Sequence, residues 1–403
     1  MSRPSTKGFF VKERLIEARE ARGITQADLG KVLGRSGSTI SNWERGEQAP
    51  EPGTLDQLAR ALNVAPGYFA KEVPDHGRSA IFFRSMANAT ARVRTRSKAR
   101  VRWLQHISLV LQQTLEFPDI DFPEFVEENA YTNLKDADLE RIAGEMRSHW
   151  RLGDGPIANI VLLAENIGAV LGVDNVGSTA IDGQGSWSNA DGRPYILLAK
   201  DKYTAYRRQM DVAHEIAHLV LHRGVDGEQL DRDFDLIEHQ AKYLACAFLL
   251  PFRSFSSEVF SLSLDGFLSM KRRWMVSVGA MIMRAHHLEI LSDAAAQKLL
   301  KYRATRGWHR QEPLDLPTET PVEEPRLLRR SVEMIVSERV RSKRDLVHSD
   351  ICIGASDIEL LASLPEGYFD DTGTVVAFEP RLRSGSGQSS AAPVVPFHRP
   401  RVC

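Results

Sequence analysis

The sequence predicts a mainly α protein in which an N-terminal helical bundle is followed by an α+β domain. Three observations predict it. From about residue 9 to residue 70, short apolar helical periods alternate with turn signals. From about 136 to 172 and again from about 203 to 300, helical patterns dominate. Between them lies Tyr195-Ile-Leu-Leu-Ala199, a short apolar run after Pro194 that reads as a buried strand.

The first helix starts around Leu15, Ile16, Ala18 and Arg19 and ends near Gly23. Thr25 is a good N-cap, because its hydroxyl can accept an orphan backbone N–H. The helix it caps is expected to put Ala27, Leu29, Val32 and Leu33 on one face. Gly34 makes the turn, and Ser36 caps a second short helix that carries Ile40 and Trp43 and stops at Gly46. Thr54 opens a further helix, with Leu55, Leu58, Ala59 and Leu62 packing inward.

Two short helices joined by a glycine turn fit a helix-turn-helix, whose second helix lies in the major groove of double-stranded DNA. Ile40 and Trp43 would face the core. Ser36, Ser38, Thr39, Ser41 and Asn42 would face outward, where small hydroxyl and amide groups reach phosphates and base edges. Gln26, at the start of the preceding helix, is placed to touch phosphate. A small helical bundle that binds only protein is the alternative. The stretches Thr25-Gln-Ala27, Leu33-Gly34, Ser38-Thr-Ile-Ser-Asn-Trp-Glu-Arg-Gly46, Pro52, Leu55 and Leu58-Ala59 resemble the lambda-repressor-like, XRE-type helix-turn-helix family over about 60 residues. Gly37 stands where that family often has a larger polar side chain.

Net charge is −1, from 52 basic and 53 acidic residues, so nucleic-acid binding must come from a local patch. From Arg84 to Arg102 there are seven basic residues and no acidic one. This run either tracks phosphate or is a solvated helix face; it continues into an apolar helical pattern from Trp103 to Leu115. Ser79–Met86, with Ile81, Phe82 and Phe83, reads as a core plug between domains. A helix is expected over Ile157–Leu171. Residues 309–325, rich in Pro, Glu and Thr, look like a linker, and the Gly/Ser/Pro-rich tail looks disordered. Three scattered cysteines exclude a disulfide framework, and there is no CxxC pair for a thiolate zinc site. The N-terminus lacks the apolar core of a signal peptide and no run of 18 apolar residues occurs, so a cytoplasmic protein with no membrane partner is expected.

The second strong motif is Asp211-Val-Ala-His-Glu-Ile-Ala-His-Leu-Val-Leu-His222. His214 and His218 are spaced i, i+4 and share one helix face. Two imidazoles so placed can hold one zinc ion, with Glu215 beside them as general base for water. A core helix with two satisfied histidines is the bland reading. A third ligand is needed. Glu238 opens the next amphipathic run, 20 residues after His218, and can complete a His₂Glu site. His222 is the other candidate, but it stands roughly 12 Å along the axis from His214, too far for one ion to bridge.

Trp150-Arg-Leu-Gly-Asp-Gly-Pro156, Arg193-Pro-Tyr-Ile-Leu-Leu198, Arg207, His214–His222 and Glu238–Pro251 together resemble the ImmA/IrrE family of zincin-like metallopeptidases. That resemblance implies a Zn²⁺ cofactor held by His214, His218 and Glu238, with Glu215 catalytic, in a gluzincin-like metalloendopeptidase. It further implies an edge strand that aligns substrate by β-addition, for which Tyr195–Ala199 is the candidate. The expected organisation is a helix-turn-helix domain over 1–75, a basic helical connector over 76–125 and the ImmA/IrrE-like domain over 126–310. A C-terminal domain of unassigned role over 311–380 and a tail over 381–403 follow. The expected function is a DNA-binding transcriptional regulator that acts on an operator, by analogy with paired half-sites as a homodimer, and cleaves a protein partner such as a repressor. The alternative is a non-catalytic transcription factor whose zincin-like domain senses a ligand, peptide or metal.

Overall fold

The computed structural model describes residues 10–77, 81–82, 90–127, 130–175, 182–200 and 204–370. The tail, expected to be disordered, lies outside them. Four helices open the chain: α1 (Lys12–Ala21), α2 (Gln26–Leu33), α3 (Gly37–Arg45) and α4 (Pro52–Leu62). Their punctuation follows from local chemistry. Thr25 and Asp28 exchange side-chain and backbone hydrogen bonds in a reciprocal cap at the start of α2. Ser36 accepts from the Thr39 amide at the start of α3. Gly34 and Gly46 end the two helices in the left-handed conformation.

The buried face of α2 differs from the expected one. Leu29 is buried and Leu33 partly so, but Ala27 is exposed and Val32 is 67% exposed. At about 100° per residue, Ala27 lies on the far side of the helix from Leu29, so an eight-residue helix cannot bury both.

A long helix, α5 (Ala91–Gln112), follows, and then α6 (Asp136–His149) and α7 (Ile160–Asn166). The helix expected to run to Leu171 stops at Asn166. Gly168 turns the chain at φ +93°, where a side chain would also collide with the Asp119 carbonyl, and Val170 starts a strand. Strands β1 (Val170–Asp174), β2 (Gly183–Trp187) and β3 (Pro194–Ala199) form one sheet in the order β1-β3-β2. β3 pairs parallel with β1 and antiparallel with β2. The Tyr195–Ala199 strand is therefore central and cannot be an aligning edge; β2 holds an edge position.

Helices α8 (Ala205–Leu221), α9 (Gly227–Arg232) and α10 (Phe234–Leu249) pack beneath the sheet, and α11 (Phe252–Glu258), α12 (Leu264–Trp274), α13 (Val278–His287) and α14 (Asp293–Thr305) extend the helical layer. Residues 309–325 are docked, contrary to the expected linker. Glu312 is buried, accepts from the Val278 and Gly279 amides at the start of α13, and pairs with Lys271 at 3.0 Å. Helices α15 (Leu327–Ser337), α16 (Lys343–Asp345) and α17 (Ala355–Leu361) complete the described chain. Overall the protein is mainly α with a small mixed sheet.

Two large apolar cores result. One fills the space between α6, α7, the sheet, α8, α10 and α12–α14. The other joins α1–α4, α5, the opposite face of β1 and β3, and α15–α17. The N-terminal bundle therefore shares a core with the sheet. Val64 bridges Ile353, and the Ala65 amide donates to the Cys352 carbonyl at 2.9 Å. Among the described residues no helix is long and apolar enough to cross a membrane.

Candidate metal centre and nucleic-acid face

Thr204 caps α8, a largely buried helix that lies between the sheet and α10. Burial on both sides fixes its side chains. His214 and His218 project from one face, and Glu238 meets them from the first turn and a half of α10. The three are at most 4% exposed. Nε2 of His218 stands 3.0 Å from Nε2 of His214 and 3.2 Å from Oε1 of Glu238, and His214 Nε2 lies 3.5 Å from the same oxygen. The ligand triangle implied by the sequence is thus one cluster, and among the described residues it is the group of His, Cys, Asp and Glu with metal-holding geometry.

A second layer orients His218. The amide nitrogen of Gln240 donates to the Tyr131 carbonyl at 2.6 Å, which leaves its oxygen facing Nε2 of His222 at 3.0 Å. That oxygen only accepts, so His222 carries its proton on Nε2 and offers Nδ1 as acceptor. Nδ1 of His218, 3.2 Å away, donates to it. Burial pushes His222 down to about 3 and His218 down to about 4, so both rings are neutral near pH 7. With its proton on Nδ1, His218 must present a lone pair on Nε2 to the ligand cluster. His222 is a supporting residue, as its place along the helix axis requires.

An imidazole lone pair facing a carboxylate oxygen at 3.2 Å is repulsive unless a proton or a cation lies among them. Ligand atoms about 2.0–2.2 Å from a tetrahedral zinc stand about 3.3–3.6 Å from one another. The observed triangle of 3.0, 3.2 and 3.5 Å is a little tighter than that and of the same size.

Glu215 follows His214 on α8 but faces β2. It is 1% exposed. A Cβ at Gly183 would stand 2.8 Å from its Oε1, and one at Gly185 would stand 3.0 Å from its Oε2. The alternation Gly183-Gln-Gly185 puts both glycines on the strand face that Glu215 approaches. Any side chain there would displace the carboxylate. Phe82 closes the site from outside. Its ring stacks on His218 at 4.6 Å and 6°, and its amide donates to the Gly185 carbonyl at 3.1 Å. Neither the two glycines nor Gln240 stood out in the sequence; a Gly-x-Gly in a strand is the signal that marks close approach of another group.

On the N-terminal bundle, the predicted hydroxyl residues gather at the start of α3. Ser36 Oγ lies 2.7 Å from Ser38 Oγ and 2.9 Å from Thr39 Oγ1. Ser36 and Ser38 are exposed, whereas Thr39, Ser41 and Asn42 are half-buried. Arg45 donates to Ser41 Oγ at 3.0 Å and to Asn42 Oδ1 at 2.5 Å, so it belongs to the same face although sequence reasoning passed over it. Its exposed place one turn after Ser41 was the available signal. Gln26 donates to Glu44 at 2.7 Å, and Glu44 also takes Arg19, which ties the start of α2 to α3. The basic run is largely spent inside the molecule. Arg92 donates to the Gly23 carbonyl, Arg96 pairs with Asp174 at 3.4 Å, and Arg100 is buried between Asp174 and Asp357.

The fold and these two sites define a two-part protein, a helix-turn-helix bundle joined in one chain to a zincin-like domain. The comparisons agree. The helix-turn-helix family model matches residues 15–69, and the model of the IrrE N-terminal-like domain of the M78 peptidases matches residues 164–286. The chain thus combines an XRE-type helix-turn-helix with an IrrE/ImmA-like domain. Over 59 residues it is 42% identical to the repressor protein C2 of Salmonella phage P22, covering 15% of this chain and 27% of that one. Over 70 residues it is 31% identical to y4aM of Sinorhizobium fredii, named an uncharacterized HTH-type transcriptional regulator, covering 17% of this chain and 49% of that one. A second regulator of that organism, y4wC, is 29% identical over 77 residues, covering 19% and 54%. The chain therefore spans about half or less of the length of these relatives.

Proposed function

We propose that this protein is a DNA-binding transcriptional regulator whose second domain is a zinc-dependent endopeptidase acting on a regulatory protein partner. One observation carries the catalytic half: Nε2 of His214, Nε2 of His218 and Oε1 of Glu238 converge within 3.5 Å of one another, a geometry that suits a metal ion. Zinc held by His214, His218 and Glu238 would supply Lewis acidity and acidify water to a pKa of about 7. Glu215 then takes the proton of the attacking water on a carboxylate oxygen and passes it to the leaving amine nitrogen. Gly183 and Gly185 leave room for that carboxylate beside the strand. Gln240 and His222 hold the His218 ring in the ligating tautomer.

The DNA half rests on α3. Ser36, Ser38, Thr39, Ser41 and Asn42 supply groups for phosphates and base edges, Arg45 adds an exposed cation, and Gln26 fixes the start of α2 beside them. Binding of paired half-sites by a homodimer follows the usual use of this motif. The core shared by the bundle and the sheet favours a second reading, in which occupancy of the zincin-like domain shifts DNA affinity without hydrolysis.

Newly formed protein N-termini in cells carrying wild type or Glu215→Gln distinguish the two. The variant keeps its ligands and its DNA-reading face. Cleavages present only with wild type are expected and name the substrate. Identical profiles, with promoter binding and gene expression unchanged, would replace the peptidase by the sensor.

A further inference from the structure

The cleft above the metal cluster already contains a piece of this chain. β2 holds an edge position in its sheet, and the carbonyl of Gly185 receives the Phe82 amide. The connector also meets the far end of β2, where Gly77 lies against Asn189; a Cβ there would stand 2.6 Å from the Asn189 side chain. The Phe82 side chain is 2% exposed. It fills a small apolar pocket with Tyr131, Val225, Leu230 and Ile237, and its ring lies flat on His218. Gly185 is the meeting point, touched by Glu215 from one side and by Phe82 from the other.

A backbone amide paired to a free strand edge, with a side chain in an adjacent pocket, is how an extended peptide binds by strand addition. We propose that Ile81–Phe82 is a built-in competitor for the substrate cleft, and that the peptide it excludes is an extended segment with an aromatic side chain in the Phe82 pocket. This deepens the peptidase reading and rests on it.

The test uses full-length protein carrying Glu215→Gln, so that binding is read without turnover, with zinc content measured on every sample. The probe is a fluorescein-labelled peptide of residues 78–86, RSAIFFRSM. Adding Phe82→Ala should tighten its binding about tenfold or more, because the intramolecular competitor no longer holds the pocket. The same peptide with both phenylalanines changed to alanine should lose that binding. Equal affinities for the two proteins would overturn the proposal. Hydrogen exchange on the protein with Phe82 intact provides a measurement independent of the variant's folding. The Phe82 amide should be protected, and exchange as fast as in a free peptide would overturn the proposal. Samples without zinc that still show the competition would sink the metal reading and leave the occupancy of the cleft standing.

Discussion

At the scale of single residues, the account turns on where one proton sits. Gln240 accepts from His222, His222 accepts from His218, and the remaining lone pair of His218 faces Glu238. Gln240→Leu removes the acceptor that fixes this order while keeping a side chain of similar size. Zinc affinity should fall about 10–100-fold, the usual cost of losing such a support, with the fold retained. Competition with a chromophoric chelator measures it, and an unchanged affinity would show that the chain of imidazoles does not set the ligand. The clustering of the proposed ligands was legible in the sequence, because i, i+4 histidines on a helix leave little freedom and Glu238 opens the next helical run. The support was not: Gln240 contacts the Tyr131 carbonyl and His222, residues far from it along the chain. Phe82 was legible as an apolar plug, but nothing local says that it stacks on a ligand.

At the scale of elements, α5 is the part whose role changed most between sequence and structure. Its arginines read equally well as a phosphate track. In the fold, Arg92, Arg96 and Arg100 recur at every fourth residue and find partners in the turn after α1, on β1 and on α17. Composition cannot show this, because the partners Asp174 and Asp357 are distant in sequence. Asp357 pairs with Arg100 and Arg22, both at 2.5 Å. Burial would raise its pKa, but Arg100 and Arg22 outweigh burial and lower it. A depressed folded pKa contributes stability above the unfolded value of about 3.9 and loses it as pH falls through the folded value. Asp357→Asn should therefore cost about 3 kcal/mol at pH 7, the low end for breaking a buried pair, since Arg100 keeps Asp174. The gap to wild type should shrink as pH drops below about 4. Denaturant unfolding across that range checks it, and a gap that stays constant into acid would contradict it. Where elements depend on local chemistry, the sequence was a sound guide. Thr25, Gly34, Ser36 and Gly46 cap and stop the helices as their residue types require. The helix over Ile157–Leu171 failed because Gly168 breaks a continuous apolar run whose period alone does not separate helix from buried strand.

For the whole molecule, the shared core matters more than either motif. The last helices pack between the bundle and the sheet, so the C-terminal region fastens the DNA-reading part to the zincin-like part. The sequence left this region without an assigned role, since a shared core is a tertiary choice. The proposed peptidase activity requires a metal among His214, His218 and Glu238. Zinc per chain in purified protein, measured for wild type, Glu215→Gln and Glu238→Ala, tests this most directly. The account predicts one zinc in wild type and in Glu215→Gln, and loss of zinc in Glu238→Ala. A full zinc complement in Glu238→Ala, or none in wild type, would contradict it.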